Sequence, residues 1–357
     1  MNQRCSLTVV AVIAGLLMMV ALPRPALAGE YHHGATLICS DCHTMHYSLQ
    51  HSYSGGAPPP LGTGGPFPDL LKYTPNDLCK SCHDGQTFAP DVVGANTGTD
   101  VREAGALTTG TAPYEDWKGH TLGSTSTAPG GTFSDANGLA CVDCHQPHGY
   151  AGYNTKDVAG NSVTNAYRNL AAKNGLDVSY ALGTNDTTKD VFLRSWTLGD
   201  ISTNYDVSNV DFNEPNLHDS GIGEWCKGCH TDFHGKQGDA NMGGAGDTEW
   251  LRHPTADAYI GGSTAGGTSS LAVFTGHNYR VKVMSATGDW GTQGQAWTSA
   301  TASDDLAPTC ITCHKAHGNQ NPFGLVYLSG TGPITEEGDT AGVSLGMKSL
   351  CEQCHVQ

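Results

Sequence analysis

The 357-residue chain carries 34 acidic against 18 basic side chains, a formal charge of −16, which excludes nucleic acid as a natural partner. Only 38% of its residues are hydrophobic, while 47 are glycine and 17 are proline, too little apolar side chain for an ordinary core of this size. Something other than aliphatic side chains must therefore fill the interior.

Residues 1–28 read as a secretory signal, with Arg4 as the positive start, an apolar run over 7–22, and Ala26-Leu27-Ala28 as the cleavage site. The apolar run is short and breaks at Pro23 and Pro25, which disfavours a retained anchor. Cys5 precedes the run, so a lipoprotein anchor is not expected either. The mature chain is then 29–357, a single exported and soluble domain whose charge falls to −18 with the loss of Arg4 and Arg24. No later segment is apolar enough to span a bilayer.

The mature chain opens on Cys39-Ser40-Asp41-Cys42-His43, and the same C-x-x-C-H word recurs five more times. The others are Cys79/Cys82/His83, Cys141/Cys144/His145, Cys226/Cys229/His230, Cys310/Cys313/His314 and Cys351/Cys354/His355. Two thiols at this spacing can add to the two vinyl groups of one porphyrin, and the histidine that follows reaches the iron, so each word marks attachment of a c-type haem. A redox dithiol, a disulfide or half a zinc site would explain one C-x-x-C pair, but none needs a histidine after every second cysteine. Of 13 cysteines, 12 belong to the words and the odd one, Cys5, lies in the signal segment. Six haems over the mature chain leave about 55 residues for each. The expected fold is mostly irregular loop with a few short helices and minor β-hairpins, its interior formed by six stacked haems.

Between the words run Gly-, Pro-, Ser- and Thr-rich stretches, at 55–68, 98–113, 123–138 and 261–270, which predict loops. The spacing of Ala166, Tyr167, Leu170 and Ala171, with Gly175 beyond, predicts a helix over 164–173. Short helices are expected to carry several of the words. Branched and aromatic residues predict strands at 191–196, 279–284 and 325–328, as edge hairpins and not a sheet core.

Words one, three and five are each followed three residues later by a second histidine, His46, His148 and His317. Words two and six lack one, and word four has His234 one position further on. The chain therefore reads as three successive two-haem units. Every iron has two axial positions, and the second ligand decides between carrying electrons and binding substrate. Beyond the six word histidines, eleven remain: His32, His33, His46, His51, His120, His148, His218, His234, His253, His277 and His317. The mature chain has only Met45, Met242, Met284 and Met347 as alternatives, so bis-histidine ligation is the economical reading.

His46, His120, His148, His253, His277 and His317 are the chosen distal ligands. His51 and His218 are read as surface residues, and His234 as the alternative to His253. The repeat rule expects His148 at haem 1, His317 at haem 3, His120 at haem 2, His277 at haem 4 and His253 at haem 6. Run backwards, it leaves His46 without a partner in its own chain.

The flanking words carry a more specific likeness. They include C-S-D-C-H-T-M-H at 39–46, W-K-G-H at 117–120, T-A-P-G-G-T-F before word three, C-H-Q-P-H-G, A-Y-R-N-L and E-W-C-K-G-C-H-T-D-F-H. L-R-H-P, C-I-T-C-H-K-A-H-G and the closing C-E-Q-C-H complete the series. In this order they resemble the extracellular, filament-forming hexahaem cytochromes of metal-reducing bacteria, the OmcS and OmcE type. The loops after words two and five are short for that family, which affects the outer surface. The resemblance implies a homopolymer of head-to-tail subunits with a continuous line of bis-histidine haems, in which His46 ligates haem 5 of the neighbour.

The reading that follows is a non-enzymatic, secreted electron conduit at the cell surface. It takes electrons from outer-membrane or periplasmic cytochromes and delivers them to metal oxides or other extracellular acceptors. Two rivals are a monomeric periplasmic electron carrier and a multihaem oxidoreductase, the latter needing an open iron.

Overall fold

The computed structural model describes residues 39–44, 67–98, 102, 104–148, 155–156, 162–163, 170–171, 221–233, 259–261, 269–281, 283–285, 294–297, 306–326, 334–335, 337–338 and 346–355. The signal segment, His46, His234, His253, the strand expected at 191–196 and all but Leu170 and Ala171 of the helix expected at 164–173 lie outside them.

Regular structure is sparse. The α-helices among the described residues are α1 (Cys39–Cys42), α2 (Pro75–His83), α3 (Cys141–Cys144), α4 (Gly221–Lys227), α5 (Leu271–Gly276), α6 (Cys310–Cys313) and α7 (Gly346–Cys351). Six of them touch a haem word, and their placement alternates. In words one, three and five the helix begins at the first cysteine; in words two, four and six it begins earlier and runs into the word.

Local chemistry explains the difference. At word two, Thr74 caps α2 by accepting from the Asp77 amide at 3.3 Å while its hydroxyl donates to the Asp77 carboxylate at 2.7 Å, and Pro75 takes the first helical position. The Thr74 hydroxyl bond, with Lys80 beside it, holds the Asp77 carboxyl below its usual range. At words three and five extended residues, Ala140 and Thr309, precede the first cysteine. Their amides donate to Asp143 at 2.7 Å and to Thr312 at 2.9 Å, so the single helical turn is closed from inside the word.

Among the described residues two short antiparallel pairs are present, β1 (Thr155–Lys156) with β2 (Ser162–Val163) and β3 (Met284–Ser285) with β4 (Leu306–Ala307). Among the described residues of the strand expected over 279–284, only Met284 is in a strand. Residues 279–281 are not strand because the Arg280 guanidinium folds back onto the His277 and Gln295 carbonyls, turning the chain there. Of the strand expected at 325–328, only Leu325 and Val326 lie among the described residues, and Leu325 forms one bridge with His314.

The interior is not left wholly to cofactors. Ile260, Phe274, Val281, Val283, Trp297, Leu306, Val326 and Leu350 form a buried apolar cluster, and Cys313 of word five and Cys354 of word six pack against it. Elsewhere polar groups stitch the loops. Buried Arg102 pairs with Glu337 and donates to the Gly94 carbonyl, and the Tyr114 hydroxyl donates to Glu337 at 3.0 Å. No helix of the described residues is long and apolar enough to cross a membrane.

Candidate haem centres

The words follow one another in space as in sequence. Cys79 of word two lies near Cys42 of word one and Cys141 of word three. Cys226 of word four lies near Cys144 of word three and Cys310 of word five, and Cys313 lies near Cys351 of word six. Burial and these sulfur neighbours push the Cys313 and Cys354 thiols up to about 12. None of the described cysteines is in a disulfide. In the attached protein these sulfurs would be thioethers, and their order lays out a row.

The second thiols of words two and four, Cys82 and Cys229, are half-buried and sit close enough to Cys79 and Cys226 to disfavour the thiolates there. Their backbones differ. Word two is carried whole on α2, which puts Cys82 one turn beyond Cys79, its sulfur 3.8 Å from the Ser81 hydroxyl. Word four is carried only in part, because α4 stops at Lys227 and leaves Cys229 in a turn. Gly228 and Cys229 donate to the carbonyls three residues back, Trp225 at 3.1 Å and Cys226 at 3.0 Å, which tightens the last turn and ends the helix inside the word.

Specific bonds hold the row. Asn76 on α2 donates to the Leu139 carbonyl at 3.0 Å and accepts from the Cys141 amide at 2.9 Å, tying word two to word three. The Trp225 indole, one residue before word four, donates at 2.8 Å to the Ala171 carbonyl, and Ala171 in turn donates to Cys144 of word three.

The word histidines are oriented by backbone carbonyls. The Nδ1 of His43 lies 2.9 Å from Asp69 O, that of His83 3.1 Å from Pro90 O, that of His230 2.8 Å from Pro129 O, and that of His314 2.9 Å from Phe323 O. A carbonyl can only accept, so Nδ1 carries the proton and Nε2 is left with its lone pair. This is the arrangement that directs an imidazole onto a metal.

Words one and five share a holding device that sequence reading missed. Pro68-Asp69-Leu70-Leu71 and Pro322-Phe323-Gly324-Leu325 are tight turns with two consecutive left-handed residues, at φ 58° and 57° in the first and 56° and 65° in the second. The first left-handed residue takes the imidazole N–H. The carbonyl of the second accepts from the residue after the histidine, Thr44 or Lys315, at 2.8 Å in both. Lys72 and Val326 then donate to the second cysteine, at 3.0 and 2.8 Å. Word three repeats the portion that falls within the described residues: His145 bridges Leu170, and Ala171 donates to Cys144 at 2.8 Å.

Three facing imidazole pairs result. His43 and His148 have ring centroids 5.6 Å apart, His145 and His317 6.1 Å, and His120 and His230 5.9 Å. Two metal–nitrogen bonds of about 2 Å with half a ring on each side give ~6 Å, so an iron fits between each pair. The sulfurs, the carbonyl-held Nδ1 atoms and these separations all suit a c-type haem at the words concerned.

His148 and His317 thus face the words expected for them. His120 does not: it was expected at word two and stands opposite His230 of word four. The cause is the loop ahead of word three, which packs on word four, with Pro129 holding His230 and Asp232 donating to the Gly130 carbonyl at 2.7 Å. The same loop passes so near Cys229 that a Cβ on Gly131 would strike the Cys229 carbonyl oxygen. His277, expected at word four, lies against word six, its Nε2 3.1 Å from the Glu352 carbonyl. Helix α5, which ends just before His277, is fastened there by Ser270 donating to Cys354 at 2.7 Å and by the bridge between Ser269 and His355. Among the described residues no imidazole ring faces His314.

Desolvation favours the neutral form of four of these rings. It lowers the pKa of His83, of His120 with the neighbouring charge of His230, and of His314. His317 is pushed down to about 3 by burial first and then by His145 and His120.

A row of C-x-x-C-H words with imidazoles held for metal ligation defines a c-type cytochrome. The chain is similar to the C-type cytochrome OmcS of Geobacter sulfurreducens, 26% identical over 396 aligned positions that cover 89% of this chain and 84% of that protein. The likeness drawn from the flanking words therefore holds at the level of an OmcS-type cytochrome. Two solved structures are also similar. One is an outer membrane cytochrome S filament from Geobacter sulfurreducens, with TM-score 0.47, 22% identity and 84% of each chain covered. The other is a cryo-EM structure of OmcS nanowires from the same organism, with TM-score 0.44, 21% identity, and 81% of this chain and 84% of that one covered. No family model matches the chain.

Proposed function

We propose that the protein is an extracellular electron conduit with six bis-histidine c-type haems per subunit, polymerised head to tail. The reading rests on one observation: three imidazole pairs, spaced for an iron, lie along an unbroken row of attachment words. A haem iron held between two imidazoles exchanges single electrons without a free position for substrate. The chain's part is to hold both imidazoles neutral and aimed, to keep neighbouring words close, and to exclude other ligands. Cys82 and Cys229 serve with Cys79 and Cys226 as the thioether anchors of haems 2 and 4, and the cysteine pairs of the other four words anchor theirs.

His43 with His148, His145 with His317 and His230 with His120 are the ligand pairs of haems 1, 3 and 4. His46, His253 and His277 are the remaining ligands for words two, five and six, His277 lying beside word six. His46 acts across the subunit boundary at word five, as the likeness to filament-forming cytochromes suggests. Such a contact is heterologous and propagates into an open filament. Residues 1–28 direct export, 29–357 form the cytochrome domain, outer-membrane or periplasmic cytochromes supply electrons, and metal oxides or other extracellular acceptors receive them.

The test uses secreted, haem-loaded protein. Six haems per chain, an entirely low-spin paramagnetic resonance spectrum and uniform filaments in negative stain are expected. Dispersed low-spin particles would favour a monomeric carrier, and a stoichiometric high-spin ferric signal would favour an enzyme with an open iron.

A further inference from the structure

The distal imidazoles of words three and four are anchored at one point. His120 donates its backbone amide to the His317 carbonyl at 2.9 Å and its Nδ1–H to the Ala316 carbonyl at 2.8 Å. His317 donates its own amide to Ala104 at 2.9 Å, and Ala106 donates to the Gly318 carbonyl at 2.8 Å. The His120 carbonyl accepts from the Thr108 amide at 3.0 Å. Three stretches, 104–108, 118–121 and 316–319, therefore cross at the two histidines.

The crossing is closer than side chains permit. A Cβ on Gly105 would meet the Gly318 carbonyl oxygen at 1.9 Å, and one on Gly318 would meet the Gly119 Cα at 2.6 Å. A Cβ on Gly119 would meet the His317 carbonyl oxygen at 2.4 Å and the Gly318 Cα at 2.6 Å. Gly119 is the informative one. Its φ of 174° is ordinary extended backbone, so no turn demands glycine there. Only the approach of the chain bearing His317 does.

We propose that Gly105, Gly119 and Gly318 are positioning residues that join the distal ligands of haems 3 and 4 into one unit, so that the two sites form and are lost together. The inference rests on His120 and His317 being those ligands. Displacing the Gly119 backbone moves the carbonyl that orients His120 and the chain that carries His317 in the same step. Either imidazole alone could be removed with the backbone bonds of the crossing kept, His120→Ala giving up only the Nδ1–H bond to Ala316.

The test compares Gly119→Ala with His120→Ala, His317→Ala and Gly123→Ala in secreted, haem-loaded full-length protein. Gly123 lies three residues beyond His120, at φ +81° with nothing within 4 Å of an added Cβ, so it reports backbone strain without the clash. Each histidine variant should turn one haem high-spin. Gly119→Ala should turn two, with a difference spectrum equal to the sum of the two histidine variants, and Gly123→Ala none. Loss of one ligand or none in Gly119→Ala, or the same double loss in Gly123→Ala, overturns the coupling. Should Gly119→Ala not be secreted, acid titration of the natural protein decides: a single transition converting two haems supports the unit, and two separate transitions refute it. A natural protein whose haems are not all low-spin at neutral pH would instead overturn the ligand assignment.

Discussion

Leu70 and Gly324 occupy the same place in two copies of one turn, each the second of two left-handed residues that hold a haem-word histidine, at φ 57° and 65°. A β-carbon in that conformation costs about 1–2 kcal/mol, and glycine forfeits roughly 0.5–1 kcal/mol of chain entropy in exchange. Leu70→Gly should therefore be neutral or stabilising by up to ~1 kcal/mol. Gly324→Ala should destabilise by about 1–3 kcal/mol, because its Cβ would also press the Gly318 Cα at 3.1 Å and the Lys118 carbonyl at 3.2 Å. Thermal unfolding followed by circular dichroism of the haem-loaded protein checks both signs.

Asn76 is the side chain that spans words two and three. Asn76→Ala removes two hydrogen bonds and leaves the Cys141 amide without its partner, while the Leu139 carbonyl keeps the Gly123 amide at 2.8 Å, a loss of about 1–3 kcal/mol. Asn76→Asp keeps the acceptor and should lose about half as much. Redox titration should show the potentials of haems 2 and 3 moving more than those of the other four; a uniform shift would contradict the local role.

Arg102 is buried and Glu337 is its carboxylate partner. Removing one member of a buried pair costs about 3–5 kcal/mol, since the remaining charge stays in a poorly solvating interior. Glu337→Ala should therefore lower the thermal midpoint clearly, and Glu337→Gln, which still accepts from Tyr114, by less. Equal midpoints for the two variants would show that the charge is immaterial.

As the proposed distal ligand His317 would bind as the neutral ring, the form favoured by burial and by the nearby His145 and His120, which push its pKa down to about 3. An unperturbed imidazole titrates near ~6.5, so between these limits the unfolded chain binds the extra proton. The stabilisation is complete above the unfolded value and is lost as pH falls through about 3. The haem at word three should stay low-spin to about pH 4. Resonance Raman referenced to His317→Ala reads this, and conversion near pH 6 contradicts it.

His148 and His46 follow successive odd words at the same spacing, yet should behave differently when removed. His148→Ala should open one iron and leave filaments intact, since His148 faces His43 of its own chain. His46→Ala should open one iron and shorten or abolish filaments. Negative-stain imaging beside paramagnetic resonance separates the two; normal filaments with all haems low-spin in His46→Ala would remove its assembly role.

The amino-acid sequence by itself determined the chemistry of attachment, because covalent haem capture is written in residues that are chain neighbours. The alternation of the six words, the sparse regular structure and the reach of His148 and His317 toward words one and three were legible for the same reason. Only the tertiary structure decided that His120 meets His230 and that His277 lies against word six. These pairings depend on which loop hydrogen-bonds to which word, and glycine-rich loops carry no periodicity that would announce it. The left-handed turns were hidden because the carbonyl that holds the histidine lies 26 residues away in word one and 9 in word five. The apolar cluster around words five and six escaped as well, since its members are scattered from Ile260 to Leu350 and only the fold brings them together. Sequence neighbours choose the cofactor, and backbone hydrogen bonds between distant loops choose which imidazoles share it.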